Sequence, residues 1–415
     1  MKFNKWTYGL AAVGAVSLTS AAHAEEKLSA LQTTLSNTTI SGYVSVSANV
    51  ALSPNTTGVN NSPAAYIPFQ GYYKQDGFNL DVVKLSISKP QDESPWASGY
   101  QVDLLFGPDA VGYNTSANAG YLSDNDFAIK QAYVALRTPV GNGIDWKIGV
   151  FDTVIGYEVT DAGSNPNYTR SWGYAVEPTE HTGVLATYKF CDALTVSAGV
   201  ANTLNASINT RNYSGGNSSF WKKTVMGSVA LTAPSSWGWA AGSMLYAGAV
   251  YGFNDSAFGY SPGSQNRFFA SGNQFNGYVG GTLNTPWKAL TLGAAFDYVQ
   301  NLGGGYNNGN NYNNDGHVDV YTAALYATWK ATDKLSLSAR GEYVHVKSVS
   351  GYTYEPGYTY SYNSNFDGWS LTGTLQYDLW ANVISRLEVR YDKANDNVVA
   401  HTESIGLYAN IIYKF

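Results

Sequence analysis

The sequence predicts an all-β fold, a transmembrane antiparallel up-and-down β-barrel of about 16 strands, within a range of roughly 14–18. Three observations predict it. Apolar and polar residues alternate with a period of two in many segments, as they do in strands with two different faces. Short and long connections between these segments also alternate, which is typical of outer-membrane barrels. Finally, charged residues are only 13% of the 415 residues while aromatic residues reach 14%, a composition that suits a wall facing lipid.

Residues 1–24 are the first element of the chain. Lys2 and Lys5 precede a short apolar run, which ends in Ala22-His23-Ala24. A charged start, an apolar centre and a small-x-small end predict a cleaved secretory signal peptide. The alternative is a membrane anchor, but the apolar run is shorter than the roughly 20 residues that a spanning helix needs.

Residues 25–38 are interpreted as a short N-terminal periplasmic segment. Leu28, Leu31 and Leu35 recur in it at helical spacing, so a short helix is one interpretation. Such a helix would lie at the lower mouth of the barrel or at a subunit contact.

Residues 39–415 are predicted to form the barrel itself. Its last segment is the clearest strand: Ile405, Leu407 and Ile411 fall on one face, and the chain ends in Phe415. A terminal aromatic residue resembles the signal by which the barrel-assembly machinery recognises outer-membrane barrels. Lipid offers no water to an unpaired strand edge, so the last strand must pair with the first. The strand candidates are 40–50, 78–88, 99–107, 127–138, 144–153, 182–190, 194–203, 223–232, 239–253, 275–284, 290–301, 317–329, 335–348, 368–379, 383–393 and 403–415.

The connections carry the second pattern. Short ones hold turn residues, as in 139–143 and 331–334, whereas long ones such as 108–126, 154–181 and 350–367 are rich in Gly, Asn and Tyr. A secreted soluble β-sandwich also alternates, but it would not place aromatic residues at the strand ends beside faces of Ala, Gly, Val and Leu.

Composition excludes several classes of protein. One cysteine, Cys191, cannot form a disulfide framework or a Cys-based zinc site. Five His and three Met leave little for metal chemistry, so we expect neither a metal nor a cofactor. The sequence pI of about 5.4 argues against a nucleic-acid partner, because such proteins usually carry a basic face.

One third of the chain carries sharper motifs. In order they are Lys130-Gln131-Ala132-Tyr133-Val134, Lys147-Ile148-Gly149-Val150-Phe151-Asp152-Thr153, Ile155-Gly156-Tyr157-Glu158, Asn165-Pro166-Asn167-Tyr168-Thr169-Arg170-Ser171 and His181-Thr182-Gly183-Val184. This succession resembles the OmpL-like β-barrel porin family of Gram-negative outer membranes. The resemblance implies a homotrimeric diffusion porin for small hydrophilic solutes, surrounded by outer-membrane lipid and lipopolysaccharide. Val150 departs from it, because a basic residue is expected there.

The long connection 154–181 is the first candidate site. In general porins a loop at about this place folds inward and narrows the pore, and charged groups there filter solutes. The alternative is an external loop whose charges are solvated. The candidate constriction residues are Glu158, Asp161, Arg170, Glu177, Glu180 and His181.

Charges on the strands form the second candidate site. A cation facing lipid at the middle of the bilayer would cost roughly 2–4 kcal/mol, so these side chains are expected to line the lumen. Arg340, Arg386 and Arg390 would form a basic ladder facing the acidic loop, or Arg386 and Arg390 would pair with Glu388 and support the wall. The candidate wall residues are Lys84, Asp103, Arg137, Asp145, Lys147, Asp297, Arg340, Glu342, Arg386, Glu388 and Arg390.

Two functions other than a diffusion pore are compatible with a barrel of this kind, enzymatic activity and glycan binding. Enzymatic activity is not expected, because no nucleophile motif has a matching His and Asp; His181 is the least implausible catalytic position. A barrel that binds glycans through its Tyr- and Asn-rich loops, such as 303–315 and the tyrosines of 352–362, is the alternative function. An extension of the thirteenth and fourteenth strands above the membrane explains the alternating tyrosines equally well.

Overall fold

The protein is a closed antiparallel barrel of sixteen strands over the described part of the chain. The computed structural model describes residues 38–52, 74, 76–111, 113, 126–204, 206, 208–209, 213–214, 217–218, 221–253, 269–270, 273–302, 306–307, 317–354, 358–396 and 402–415. The predicted signal peptide and nearly all of the predicted periplasmic segment lie outside these residues.

The barrel strands follow one another around the wall in chain order. They are β1 (Thr39–Ala51), β2 (Gly77–Lys89), β3 (Ser98–Phe106), β4 (Phe127–Thr138), β5 (Ile144–Asp152), β6 (Glu180–Cys191), β7 (Leu194–Ala201), β8 (Thr224–Thr232), β9 (Met244–Phe253), β10 (Asn273–Asn284), β11 (Leu290–Gln300), β12 (His317–Lys330), β13 (Leu335–Tyr354), β14 (Tyr358–Trp380), β15 (Val383–Asp396) and β16 (Thr402–Lys414). The predicted all-β fold and the strand count are therefore confirmed.

The seam between β1 and β16 closes the barrel. The two strands pair antiparallel, and Gly42 and Phe415 exchange backbone hydrogen bonds of 2.9 and 3.0 Å. A side chain at position 42 has no room, because a Cβ there would lie 2.1 Å from the carbonyl oxygen of Lys84 and 2.7 Å from the Phe415 ring. The closure thus leaves no free strand edge, as a bilayer requires.

The two faces of the wall differ as the alternation predicts. On β16 the outward residues Ile411, Tyr413 and Phe415 are 47%, 50% and 52% exposed, whereas the inward Asn410 and Ile412 are almost fully buried. Apolar side chains therefore cover the outside of the barrel, where lipid replaces water. No helix among the described residues is long and apolar enough to cross a membrane.

Three boundaries differ from the predictions. The ninth strand starts at Met244 rather than at 239, because residues Ser235–Ala240 form a 3₁₀ turn. The predicted long loop 350–367 is mostly strand, since β13 and β14 pair in register as far as Tyr354 and Tyr358. The sixth strand begins at Glu180, two residues before its predicted start.

Short elements complete the described structure. They are the helices α1 (Pro108–Val111) and α2 (Trp172–Val176), a 3₁₀ turn at Ala162–Ser164, and the two-residue strand pairs Tyr213–Ser214 with Asn217–Ser218 and Phe269–Ala270 with Tyr306–Asn307. The predicted glycan-binding residues of 303–315 and 352–362 mostly lie outside the residues whose side chains are described.

Candidate functional site

The connection between β5 and β6, residues 153–179, crosses the interior of the barrel, and we call it the inner segment. It touches strands on every side: its hydrogen bonds reach β1, β2, β9, β10 and β12–β16. Residues 165–171 are all buried. A buried stretch without regular secondary structure must find partners for its backbone N–H and C=O groups, and the wall must supply them.

The first part of the inner segment packs on an apolar wall. Val154 and Ile155 are buried in a cluster with Leu185, Tyr246 and Tyr326 from β6, β9 and β12. The Tyr246 hydroxyl donates to the Val154 carbonyl oxygen over 2.7 Å. Burial of this kind contributes roughly 1.5–3 kcal/mol for each large apolar side chain, which holds this end of the segment against β6–β12.

Gly156 allows the sharp change of direction that follows. Its φ of 117° lies in the left-handed region, where side chains are strained. A Cβ at this position would also lie 2.4 Å from a carboxylate oxygen of Glu177. The glycine therefore lets the two ends of the inner segment pass close to each other.

Arg340 of β13 binds the middle of the inner segment. Its guanidinium donates to Glu158 Oε1 over 2.8 Å and to Glu342 Oε2 over 2.6 Å. It also donates to the carbonyl oxygens of Thr169, at 2.7 Å, and Arg170, at 3.1 Å. Arg340 has no exposed surface, so removing it would leave the buried Glu158 without its ion-pair partner and Glu342 with Arg390, 3.9 Å away.

Arg386 and Arg390 of β15 bind carbonyl oxygens of the same segment. Arg386 donates to Ala162 and Asn165 over 2.8 and 2.7 Å. Arg390 donates to the Arg170 carbonyl oxygen over 2.6 Å. The three predicted ladder arginines thus all bind the backbone of the segment, while Arg390 also forms an ion pair with Asp392 of its own strand over 2.9 Å.

Two wall carboxylates accept hydrogen bonds from backbone N–H groups of the inner segment. Glu388 of β15 accepts the backbone N–H groups of Tyr168, at 2.6 Å, and Thr169, at 2.9 Å. Glu342 of β13 accepts the N–H of Trp172 over 2.7 Å. Within the described residues Glu388 forms no ion pair with either neighbouring arginine on its strand; its partners are loop amides and the Thr374 hydroxyl. The predicted pairing of Arg386 and Arg390 with Glu388 is therefore not found among the described residues, whereas Arg340 does pair with Glu342.

The predicted constriction residues are brought together only in part. Asp161 forms an ion pair with Lys84 of β2 over 2.7 Å and keeps 42% of its side chain exposed. Lys84 also lies 3.3 Å from Asp103 of β3. Arg170 is buried against the Tyr174 ring, 5.5 Å from its centroid. Asp161 is consequently the acidic group of this set that meets open space.

Glu180 and His181 were predicted as loop residues, but they belong to β6. Glu180 is fully buried and lies 3.0 Å from Lys130 of β4. His181 is fully buried as well, with its Nε2 3.1 Å from the Thr153 hydroxyl. Both residues fasten the root of the inner segment to the wall.

Glu177 and Asp297 form an acidic contact between the inner segment and β11. Burial, reinforced by the neighbouring Asp297 carboxyl, raises the pKa of Glu177 well above its ordinary value. Asp297 accepts a hydrogen bond of 2.9 Å from Thr322. A proton retained on Glu177 lets its carboxyl group lie beside that of Asp297, because two neighbouring charged carboxylates would repel each other.

The three remaining wall residues lie near the short connection 139–143. Arg137 pairs with Asp145 over 2.7 Å, and Lys147 lies over the Tyr133 ring, 4.9 Å from its centroid. The strand register places all three on the inner face. They lie apart from the inner segment and are more exposed than the arginines that bind it.

Several interior residues were not predicted. Asp81 of β2 accepts hydrogen bonds from Ser45, Ser47 and the Tyr168 hydroxyl at 2.7–2.9 Å. Asp81 occupies a β-bulge, since Ser45 pairs with Val82 and Val46 with Leu80. Lys130 occupies another bulge, on β4. A bulge reverses the inside–outside parity of a strand, so strict period-two counting cannot find these residues.

The described residues contain no group of three or more His, Cys, Asp or Glu able to hold a metal ion.

The described part of the chain forms a closed sixteen-stranded barrel with an apolar outside, a polar inside and a segment folded across its interior. That combination defines the class of outer-membrane porin-like barrels.

The family comparison agrees with this class. Residues 37–414 match the family model described as putative beta-barrel porin-2, OmpL-like. The chain belongs to this family, which confirms the resemblance found in the sequence. No curated protein sequence matches the chain.

Solved outer-membrane structures share the fold at low sequence identity. The outer membrane channel DcaP of Acinetobacter baumannii aligns with TM-score 0.55 and 13% identity, over 91% of this chain and 97% of its own. An anion-selective porin from Comamonas acidovorans gives 0.54 and 10%, over 91% and 99%. The trimer form of OmpT of Vibrio cholerae gives 0.53 and 12%, over 91% and 99%. At these identities the likeness shows the fold.

Proposed function

We propose that the protein is an outer-membrane porin, exported by a cleaved signal peptide, in which small hydrophilic solutes and ions diffuse passively through a lumen narrowed by the inner segment. The observation that carries this proposal is the way the wall holds that segment. Buried Arg340, Arg386 and Glu388 bind its backbone, so the constriction would be a fixed part of the barrel. No catalytic role is proposed.

Conductance of the purified protein in planar bilayers tests this function. The porin predicts stable channel openings in KCl whose size increases when residues 157–172 are replaced by a short Gly-Ser linker. A matched control shortens the connection between β11 and β12, residues 303–316, and should leave the conductance unchanged. Folded protein that inserts without conducting would refute the proposal.

We propose also that three copies assemble. The trimer form of the structurally similar Vibrio protein supports this, because the two barrels share their architecture. Unheated gel electrophoresis should show a species of about three chains that heat converts to the monomer. Chemical cross-linking in a separate sample should give bands up to three chains, and a series stopping at one chain would contradict the proposal.

A further inference from the structure

The inner segment covers one side of the barrel interior more completely than the other. On β13, β14 and β15 the inward Arg340, Thr372 and Arg390 have no exposed surface. On β4 and β5 the inward Gln131 and Lys147 are partly exposed. Because these strands belong to a closed barrel, an exposed side chain on the inward face borders water inside it. Water inside the barrel therefore reaches the wall at β4 and β5.

Lys147 of β5 carries a charge on this uncovered wall that no carboxylate compensates. Its ammonium lies over the Tyr133 ring, 4.9 Å from the centroid, and no carboxylate of the described residues lies within 4.0 Å of it. The inward Arg137 of β4, by contrast, pairs with Asp145 over 2.7 Å. An aromatic ring attracts a cation through its face but carries no net charge, so the charge of Lys147 remains available to a solute.

The neighbours of Lys147 leave its ammonium uncovered. Ala135 lies opposite Lys147 in the register with β4, and Gly149 is the next inward position on β5. Gly149 has a φ of 133°, and a Cβ there would lie 2.3 Å from the Ala132 carbonyl oxygen, so this position admits no side chain. Two neighbours without long side chains account for the partial exposure of Lys147.

An exposed cation on the wall of a passage attracts anions and repels cations. Acting through water on a monovalent ion about 6 Å away, one unit charge changes the local ion concentration about 3-fold. Salt screens this effect, because the Debye length is about 30 Å at 0.01 M salt and about 10 Å at 0.1 M. The influence of Lys147 should therefore be largest in dilute salt.

Resting on the proposed porin function, we propose that permeating ions pass along the β4–β5 side of the lumen and that Lys147 makes this part of the passage favour small anions. Arg340, Arg386 and Arg390 take no part in this selection, because they are buried and bind carbonyl oxygens of the inner segment. The selecting charge thus lies on the wall that the segment leaves uncovered, and not on the predicted basic ladder.

Reversal potentials in planar bilayers, under a gradient of dilute KCl, test the role of this charge. Lys147→Gln should lower the permeability ratio of chloride to potassium by about 3-fold, and Lys147→Arg should keep the wild-type ratio. Lys393→Gln is the matched control, because it removes a lysine that pairs with Glu403 on the outer face, and it should leave the ratio unchanged. An unchanged ratio in Lys147→Gln would overturn the proposal.

Thiol labelling tests the path of the ions independently. In a Cys191→Ser background, which removes the exposed native thiol, the Lys147→Cys variant is treated with charged methanethiosulfonates. The aminoethyl reagent, a cation, should restore the chloride preference, and the sulfonatoethyl reagent, an anion, should shift the ratio toward potassium. Thr372→Cys, on the buried inward face of β14, should respond to neither reagent.

The outcomes separate this proposal from the porin function on which it rests. Open channels in which neither reagent changes the ratio of Lys147→Cys, or in which Thr372→Cys responds instead, would overturn the path along β4 and β5 while the conductance still supports a porin. Wild-type protein that inserts without conducting would refute the porin function itself.

Discussion

Glu388→Gln offers the sharpest test of how the inner segment is held. The Glu388 carboxylate accepts the N–H groups of Tyr168 and Thr169, one on each oxygen, at 2.6 and 2.9 Å. Glutamine has the same shape but only one acceptor oxygen, so one of the two buried N–H groups loses its partner. Leaving a buried donor unsatisfied costs about 1–3 kcal/mol.

This cost converts into a rate of hydrogen exchange. Exchange of buried amides reports the free energy of local opening, and each 1.4 kcal/mol is a factor of ten. Peptides covering residues 160–172 should therefore exchange roughly 5- to 140-fold faster in Glu388→Gln than in the wild-type protein. Mass spectrometry of the detergent-solubilised barrel measures this directly.

Asp145→Asn is the matched control for this experiment. Asp145 lies on the same inner face but pairs with Arg137, over 2.7 Å, rather than with the inner segment. Its substitution should leave exchange of residues 160–172 unchanged. Equal exchange in wild type and Glu388→Gln would refute the view that wall carboxylates hold the segment by its backbone.

Three further predictions concern closure, anchoring and pH. Gly42→Ala should impair barrel folding, seen as loss of the heat-modifiable gel shift, because its Cβ would collide with the Phe415 ring; Gly341→Ala, where a Cβ meets nothing within 4 Å, should not. Arg340→Met should cost about 3–5 kcal/mol by leaving the buried Glu158 carboxylate unpaired, and a normal urea midpoint would contradict this. A raised pKa means that Glu177 stabilises the docked segment most at low pH and loses this contribution as the pH rises above the ordinary carboxyl range. After correction for the intrinsic pH dependence of amide exchange, protection of the segment should fall with rising pH in the wild-type protein and not in Glu177→Gln; the same pH profile in both would contradict the assignment.

The strand order of the barrel was predictable because it rests on local information. Alternation marks each strand without knowledge of its neighbours, and the bilayer then demands closure. The interior positions of Asp81 and Lys130 were not predicted, because each residue occupies a bulge. One inserted residue changes which face the following side chains occupy, and the composition of the strand does not show it. The extension of β13 and β14 was one of two interpretations that the alternating tyrosines of 352–362 allowed, since a Tyr-rich stretch suits a loop or a strand.

The path of the inner segment depends on partners far away in the chain. Arg340 and Glu158 are separated by 182 positions, and Arg386 and Ala162 by 224. Nothing near residue 160 in the sequence shows that its carbonyl oxygens will meet arginines of β13 and β15. The sequence identifies which charged side chains lie in the interior of the barrel. It does not show what they bind, because many of their partners are main-chain atoms, which are the same in every residue.

Recognition of main-chain atoms has a consequence for how this pore can diversify. Wall side chains bind the amides and carbonyl oxygens of Tyr168 and Thr169, and these atoms stay the same whatever side chains those positions carry. Substitutions of partly exposed side chains in the inner segment, such as Asp161, can therefore change the surface that faces the lumen while these backbone contacts persist. The wall and the inner segment therefore differ in what they tolerate. Side chains of the wall hold the segment in place, whereas partly exposed side chains of the segment can change without altering that arrangement.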